Sequence, residues 1–454
     1  MSDTAPTAAA PKRPQSVRAS RARLVIAAML FVSVVINYLD RANLSVAMPA
    51  IADELSLSPA QQGLLLSAFG WTYAALQIPG GWLIDRVPPR VLYPVCLILW
   101  SLATGFMGVF AGFAALIVLR LLVGVFEAPA YPINNRVATS WFPEKERGGV
   151  IGFYTSGQFI GLALLTPVLT WLQSAFSWHW IFITTGAAGV VWGAVWWLVY
   201  REPKRMRTAN AAEVEHIREG GGLVDLEDAP PPRKAPSWPD FAAVLANRKL
   251  WGIYLGQFCL TSTLWFFLTW FPTYLVEYRG MDYIQSGLLV SLPYLAAVAG
   301  VLLSGFASDA LVRRGAPLGL ARKGPITAGL LLSTAMIGAN FTDSTAWVIA
   351  FLCIAFFGNG FASITWSLVS ALAPRRLIGS TGGVFNFVGN LSSIATPIVI
   401  GLLVSETSFA PGFVYITAVT VVGVLSYTLL VGRVERQPDP EEAAGPAPGG
   451  TASA

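Results

Sequence analysis

LVIAAMLFVSVVINYLDRANLSVAM, residues 24–48, holds only two charges, Asp40 and Arg41, in twenty-five positions. A cleaved secretory leader has an apolar stretch of about 7–15 residues, whereas a bilayer-spanning helix needs about 20. This run is of the second kind. Eleven more follow, near 60–84, 91–111, 113–135, 148–172, 178–200, 250–275, 285–311, 324–342, 345–372, 380–404 and 411–433. Within lipid each backbone N–H and C=O must be satisfied inside its own segment, so runs this long are helices. Barrel strands would be segments of about ten residues with alternating hydrophobicity, and none is seen. The expected fold is an all-α membrane protein with twelve transmembrane helices, called spans 1–12 below, in two six-helix lobes.

Composition agrees. Of 454 residues, 54% are hydrophobic and 12% charged, with mean hydropathy +0.59. A soluble domain carries roughly 25% charged residues to solvate its surface, so a water-soluble enzyme, a disordered chain and a disulfide scaffold are excluded. Cys96, Cys259 and Cys353 each sit inside an apolar run and read as small buried hydrophobes. The two histidines, His179 and His216, cannot form a zinc site, and His-Glu-x-x-His and the P-loop motif are both missing. No nucleophile–base constellation is found either. The chain is therefore expected to be no enzyme, to need no cofactor or metal, and to draw on no ATP.

Basic residues set the direction. The N-terminal tail, the loops after spans 2, 4, 6, 8 and 10, and the C-terminal tail hold 27 of the 30 lysines and arginines. Arg279 alone lies on the other side, and Arg41 and Arg120 lie within spans. By the positive-inside rule both termini are expected to be cytoplasmic. The net charge of +5 follows from this asymmetry and implies no nucleic-acid partner. The expected organisation is a disordered tail (1–23), an N-terminal six-helix lobe (24–200), a cytoplasmic linker (201–249), a C-terminal lobe (250–433) and a disordered tail (434–454). A short helix over Glu213–Arg218 is considered, but the linker is read as solvated. A monomer is expected.

The halves repeat. Gly81-x-x-x-Asp85-Arg86-x-x-x-Arg90 follows span 2, and Gly305-x-x-x-Asp309-x-x-x-Arg313-Arg314 follows span 8. Gly148-Gly149-Val150 opens span 5 and Gly382-Gly383-Val384 opens span 11. Two motifs in matching order point to paired lobes about an in-membrane site, a transporter architecture. The first motif resembles the signature Gly-x-x-x-Asp-Arg-x-Gly-Arg-Arg of the major facilitator superfamily, with Pro88 and Pro89 where that family has Gly and Arg. The resemblance implies a gating latch at the cytoplasmic face, formed by Gly81, Asp85, Arg86 and Arg90 and by their counterparts Gly305, Asp309 and Arg313. Asn37-Tyr38-Leu39-Asp40-Arg41-Ala42-Asn43, Arg120-Leu121-Leu122-Val123-Gly124-Val125-Phe126-Glu127-Ala128-Pro129 and Trp270-Phe271-Pro272-Thr273-Tyr274 resemble the anion:cation symporter branch, bacterial proton-coupled carriers of sugar acids such as galactonate and glucarate. That likeness runs through all twelve spans.

Four charges stand in apolar runs: Asp40, Arg41, Arg120 and Glu127. Each costs about 2.5–3.5 kcal/mol at a helix centre, so such residues mark ion and substrate paths. Ion pairs bracing span 1 against span 4 are the structural alternative, and the two roles are compatible. By rise per residue, Asp40 and Arg120 lie at similar depth, which predicts that they pair. Glu127 is two turns further along the face of Arg120, with no cation evident at its level. Arg41 is expected to fork onto a substrate carboxylate, with Arg120 as a second anion contact. Asp40 and Glu127 are the candidate proton carriers, and the resemblance implies the same two positions.

Tyr38, Tyr73, Gln77, Gln158, Ser363, Thr365, Asn386 and Asn390 are neutral polar residues within spans. Each is equally suited to joining helices or touching ligand. The resemblance matches Tyr38, Arg41, Tyr73, Gln158, Ser363 and Asn386 to substrate-contact positions. Trp265 and Trp366 are candidate walls. The expected function is proton symport of an organic anion by alternating access, most directly of a hexonate or hexarate. Aromatic carboxylates, dicarboxylates or uronates, or sodium as the coupling ion, remain as alternatives.

Overall fold

The computed structural model describes residues 19–437 except 78–82, 85, 111, 226–241, 243, 375 and 376. Among the described residues it is helical almost throughout, with one isolated bridge between Ser405 and Ser408. Ten helices among the described residues are long and apolar enough to cross a membrane. An eleventh crossing is the pair Arg248–Thr269 and Phe271–Tyr278, bent by 48°. The twelfth expected span is the helix Pro59–Ala75, which runs up to residues outside the described set. This is the all-α arrangement of two six-helix lobes that the hydropathy requires.

Several spans are interrupted, each beside a polar residue singled out in the sequence. Span 4 is Phe113–Glu127 followed by Ala130–Trp141, so its break falls immediately after Glu127, at Pro129. Span 10 is Thr345–Phe361, a tight turn at Ser363–Thr365, then Trp366–Leu372. Span 11 divides at Leu391, next to Asn390. Breaks of this kind free backbone groups that lipid could not tolerate, so they belong where protein or a polar cavity surrounds them.

The two lobes meet most closely on the face opposite the termini, called the far face below. A Cβ added to Gly63 of span 2 would lie 2.4 Å from the Pro397 carbonyl oxygen of span 11, and one on Gly70 would strike Ser393. Only glycine allows this approach. Trp270 of span 7 closes the same corner by donating its indole N–H to the Pro397 carbonyl at 3.1 Å. Toward the face carrying the termini, Cβ atoms at Gly148, Gly149, Gly152, Gly305 and Gly383 would have nothing within 4 Å. The close approach of the lobes among the described residues is thus at the far face.

Residues 203–225 differ from the solvated linker expected. A helix, Ala211–Glu219, is capped by Asn210 and packs against the N-terminal lobe. Glu213 and Ile217 are buried. Arg23, at the start of span 1 (helix Ala22–Leu55), reaches Glu213 at 3.1 Å and Glu146 of span 5 at 3.0 Å. His216 stands 3.4 Å from the same Glu146, and Ser20 exchanges hydrogen bonds with Asn210. The N-terminal arm, the start of span 5 and the linker helix thus form one block. The expected tails lie mostly outside the described residues.

Candidate functional site

The four intramembrane charges come together where spans 1 and 4 face each other. Arg41 grips Glu127: its Nε donates to Oε1 at 2.8 Å, and Nη2 lies 2.6 Å from the same oxygen. Both side chains are almost wholly buried. The carboxylate of Asp40 is held instead by neutral donors, the Trp100 indole N–H at 3.0 Å and the Asn43 amide at 3.4 Å. Arg120 donates at 3.1 Å to the backbone carbonyl of Asp40. The expected Asp40–Arg120 carboxylate pair is thus replaced by an Arg41–Glu127 pair.

Side-chain direction explains the exchange. A Cα–Cβ bond leans toward the N-terminus of its own helix. Span 1 begins at the face carrying the termini, so Arg41 leans toward that face. Span 4 begins at the far face, so Glu127 leans toward the far face and meets it. Depth counted along Cα atoms alone misses this convergence, which is worth several ångströms on a side chain as long as arginine's.

Around the Arg41 guanidinium stand four aromatic rings, Tyr38 at 4.7 Å, Tyr73 at 4.9 Å, Phe69 at 5.1 Å and Trp265 at 5.9 Å from ring centre to Cζ. Phe69 serves Arg120 also, at 5.3 Å. Ring faces attract cations and give the guanidinium a shaped, water-poor seat. Trp265 comes from span 7, so the second lobe completes the box, as expected of it. Trp366 lies elsewhere, exposed and packed edgewise on Phe385.

Among the described buried atoms, Asn37 Oδ1 and Nδ2, Glu127 Oε2 and Arg120 Nε have no hydrogen-bond partner. Asn37 is one helical turn from Arg41.

The second lobe supplies neutral hydrogen-bonding groups. Asn386 donates to Gln77 Oε1 at 3.2 Å, joining span 11 to span 2 one turn from Tyr73. Asn390 donates to the Asn386 carbonyl at 2.9 Å. Thr365 donates to Gln257 Oε1 at 2.9 Å, and Thr261 to the Gly389 carbonyl at 2.8 Å. Gln257 was not among the sequence candidates, although it is an amide in an apolar run like those that were. Gln158 and Ser363 are half-buried in span 5 and at the break of span 10. Among the described residues, neither joins the hydrogen-bonded Arg41 cluster.

Of the expected latch, Gly81 and Asp85 lie outside the described residues, as does the side chain of Asp309. Arg86 and Arg313 are exposed, and Arg90 is half-buried.

This arrangement has counterparts. The Major Facilitator Superfamily model matches residues 30–397. The chain belongs to that superfamily. It is 52% identical over 426 residues to a D-galactonate transporter of Escherichia coli O6:H1, covering 93% of this chain and 98% of that one. It is 42% identical over 422 residues to a probable galactarate/D-glucarate transporter of Bacillus subtilis, covering 91% and 93%. A solved bacterial homologue of the human lysosomal transporter Spinster, inward-facing and unoccupied, superposes with TM-score 0.71 at 21% identity, covering 90% of this chain and 97% of that one. Membership makes this a multi-pass membrane protein of a transporter family, with the superfamily's two-lobe fold.

Proposed function

We propose that the protein imports a sugar acid, a hexonate or hexarate such as galactonate or glucarate, by proton symport with alternating access. Its relatives' names support the cargo, and the Arg41–Glu127 pair carries the reading. A substrate carboxylate entering the aromatic box competes with Glu127 for the planar fork of Arg41. Once Arg41 turns to the substrate, Glu127 is left as a buried carboxylate without its cation. An unpaired buried charge costs several kcal/mol, and a proton removes that cost. Anion binding and proton binding therefore favour one another, the reciprocity symport requires.

Asp40, held by Trp100 and Asn43 rather than by a guanidinium, is the second proton position, so two carboxylates are available per cycle. Asn386, Gln77, Gln257, Gln158 and Ser363 offer donors and acceptors to a polyhydroxylated chain, while Arg120 remains close to the anion. Close contact of the lobes at the far face supports a state that opens toward the termini. The basic loops place that side in the cytoplasm. Rocking of the lobes would open the opposite path.

The test is uptake into proteoliposomes. Galactonate or glucarate should accumulate when the pH gradient is inward and should exchange in counterflow without one. Accumulation driven by sodium alone would sink the proton reading. A thermal-stability panel in which only aromatic carboxylates stabilise the protein would sink the cargo.

A further inference from the structure

Span 12 ends in a turn. After its last helical residues, Ser426–Leu430, Gly432 takes a left-handed φ of 58°, a conformation open to glycine at no steric cost. The chain turns back there, and residues 432–437 lie as a strap across the ends of spans 7, 9 and 10. Lys323 of span 9 donates to the Gly432 carbonyl at 2.7 Å, and Lys249 of span 7 to that of Arg433 at 3.5 Å. Val434 lies against Gly319 and packs on the core of the second lobe.

Gln437 is the joint. Its backbone N–H donates to the Leu372 carbonyl at 2.8 Å, and its Oε1 accepts from the Asn247 amide at 3.2 Å. Its Nε2 donates to the Glu435 carbonyl at 2.9 Å. Asn247 in turn caps span 7, accepting from the N–H groups of Lys249 and Leu250. Arg436 donates to the Ala373 carbonyl at 3.3 Å. A helix leaves its last carbonyls without partners of its own, and the strap supplies donors where the half-helix Trp366–Leu372 of span 10 stops. The turn at Ser363–Thr365 interrupts the regular ladder between this half-helix and Thr345–Phe361, so tertiary contacts set its position. Arg322 of span 9 holds the Ser367 carbonyl at 2.6 Å, and at the far end of the half-helix Thr365 donates to Gln257. One end is thus held by the strap, and the other borders Ser363 and Gln257.

We infer that the strap is a positioning element for the substrate site: by capping the half-helix of span 10, Gln437 and Arg436 set where Ser363 and Gln257 stand relative to the Arg41 fork. The inference rests on the sugar-acid reading of that site. Without the strap, Leu372 and Ala373 lose these donors and the half-helix frays from that end. The hydroxyl contacts at Ser363 and Gln257 then loosen, while Arg41, Arg120 and Glu127, in the other lobe, keep their places. Affinity falls, and the anion fork and proton step are untouched.

Ending the chain after Arg433 removes the joint, whereas ending it after Pro438 keeps it. Hydrogen exchange of the purified protein should rise over residues 366–373 in the shorter chain and not in the longer, with 345–361 unchanged in both. In proteoliposome counterflow of galactonate, the shorter chain should show a KM raised about fivefold, the equivalent of one ordinary hydrogen bond, at an unchanged maximal rate. Gln437→Ala keeps the backbone bond and loses the side-chain ones, so its KM should rise about twofold. Gln437→Glu, which keeps an oxygen for Asn247, should restore it. A lower maximal rate at unchanged KM in both the shorter chain and Gln437→Ala would mark a structural role alone and overturn the proposal. Unchanged exchange over 366–373 overturns it with no cargo involved. Failure of the intact protein to bind galactonate counts against the cargo reading, and the exchange comparison still decides this one.

Discussion

Arg41 and Glu127 form an ion pair across spans 1 and 4, with Nη2 2.6 Å from Oε1, while Asp40, the neighbour of Arg41 in sequence, is held by Trp100 and Asn43. One carboxylate is therefore balanced by a guanidinium, and the other by neutral donors. Under the proposed mechanism, Glu127→Gln removes the competitor for Arg41 and the group that takes a proton when the pair opens. Uptake driven by a pH gradient should be lost while counterflow exchange persists. Proton-coupled accumulation that is unchanged in liposomes would end this assignment.

Arg41→Ala leaves Glu127 buried and unpaired. Removing one partner of a buried pair costs about 3–5 kcal/mol, so thermal unfolding in detergent should come at markedly lower temperature. Adding Glu127→Gln to that variant removes the stranded charge and should recover most of the stability but none of the transport. Arg41→Lys keeps the charge but loses the fork and the stacking among Tyr38, Phe69, Tyr73 and Trp265. Its substrate affinity should fall by at least about tenfold, one charge-assisted hydrogen bond's worth. If the double variant stays as unstable as Arg41→Ala, the pair is not the source of the loss.

The Asn386–Gln77 hydrogen bond joins the lobes at the level of the site. Replacing Gln77 with Leu leaves Asn386 without that acceptor and strips one amide from the cavity. An ordinary hydrogen bond is worth about 0.5–1.5 kcal/mol, so the melting temperature should change little. A polyhydroxylated substrate should bind several-fold more weakly, whereas a substrate with fewer hydroxyls should lose less. Titrating both ligands by thermal shift separates the outcomes, and equal losses would remove Gln77 from substrate contact.

Most of the fold was legible because lipid imposes it: long apolar runs have no other solution. The residues of the site were legible for the same reason, since Asp40, Arg41, Arg120 and Glu127 are exceptions to an apolar rule. Their pairing was not, because it depends on which way a side chain leans from helices running in opposite directions. Trp100 was hidden among 16 tryptophans, with nothing in its local sequence to mark it as the partner of Asp40. Docking of the linker helix was equally hidden, because Glu213 finds Arg23 across 190 residues of chain.

That docking makes its own prediction. Glu213 is fully buried, and its cation is Arg23 at the start of span 1. Arg23→Ala leaves the carboxylate with the Ser20 hydroxyl and nearby N–H groups alone, a loss of about 1–3 kcal/mol at this contact. The linker helix should then detach locally while the spans, held by lipid and packing, stay folded. Trypsin should cut faster at Arg207 and Arg218, and hydrogen exchange should rise over residues 211–219 but not over span 5. Charge alone is not enough for the seat, so Arg23→Lys should restore protection only in part, because a lysine cannot reach Glu146 and Glu213 with separate arms. Protection unchanged in Arg23→Ala would mean that the apolar contacts of Ile217 hold the helix without the ion pair.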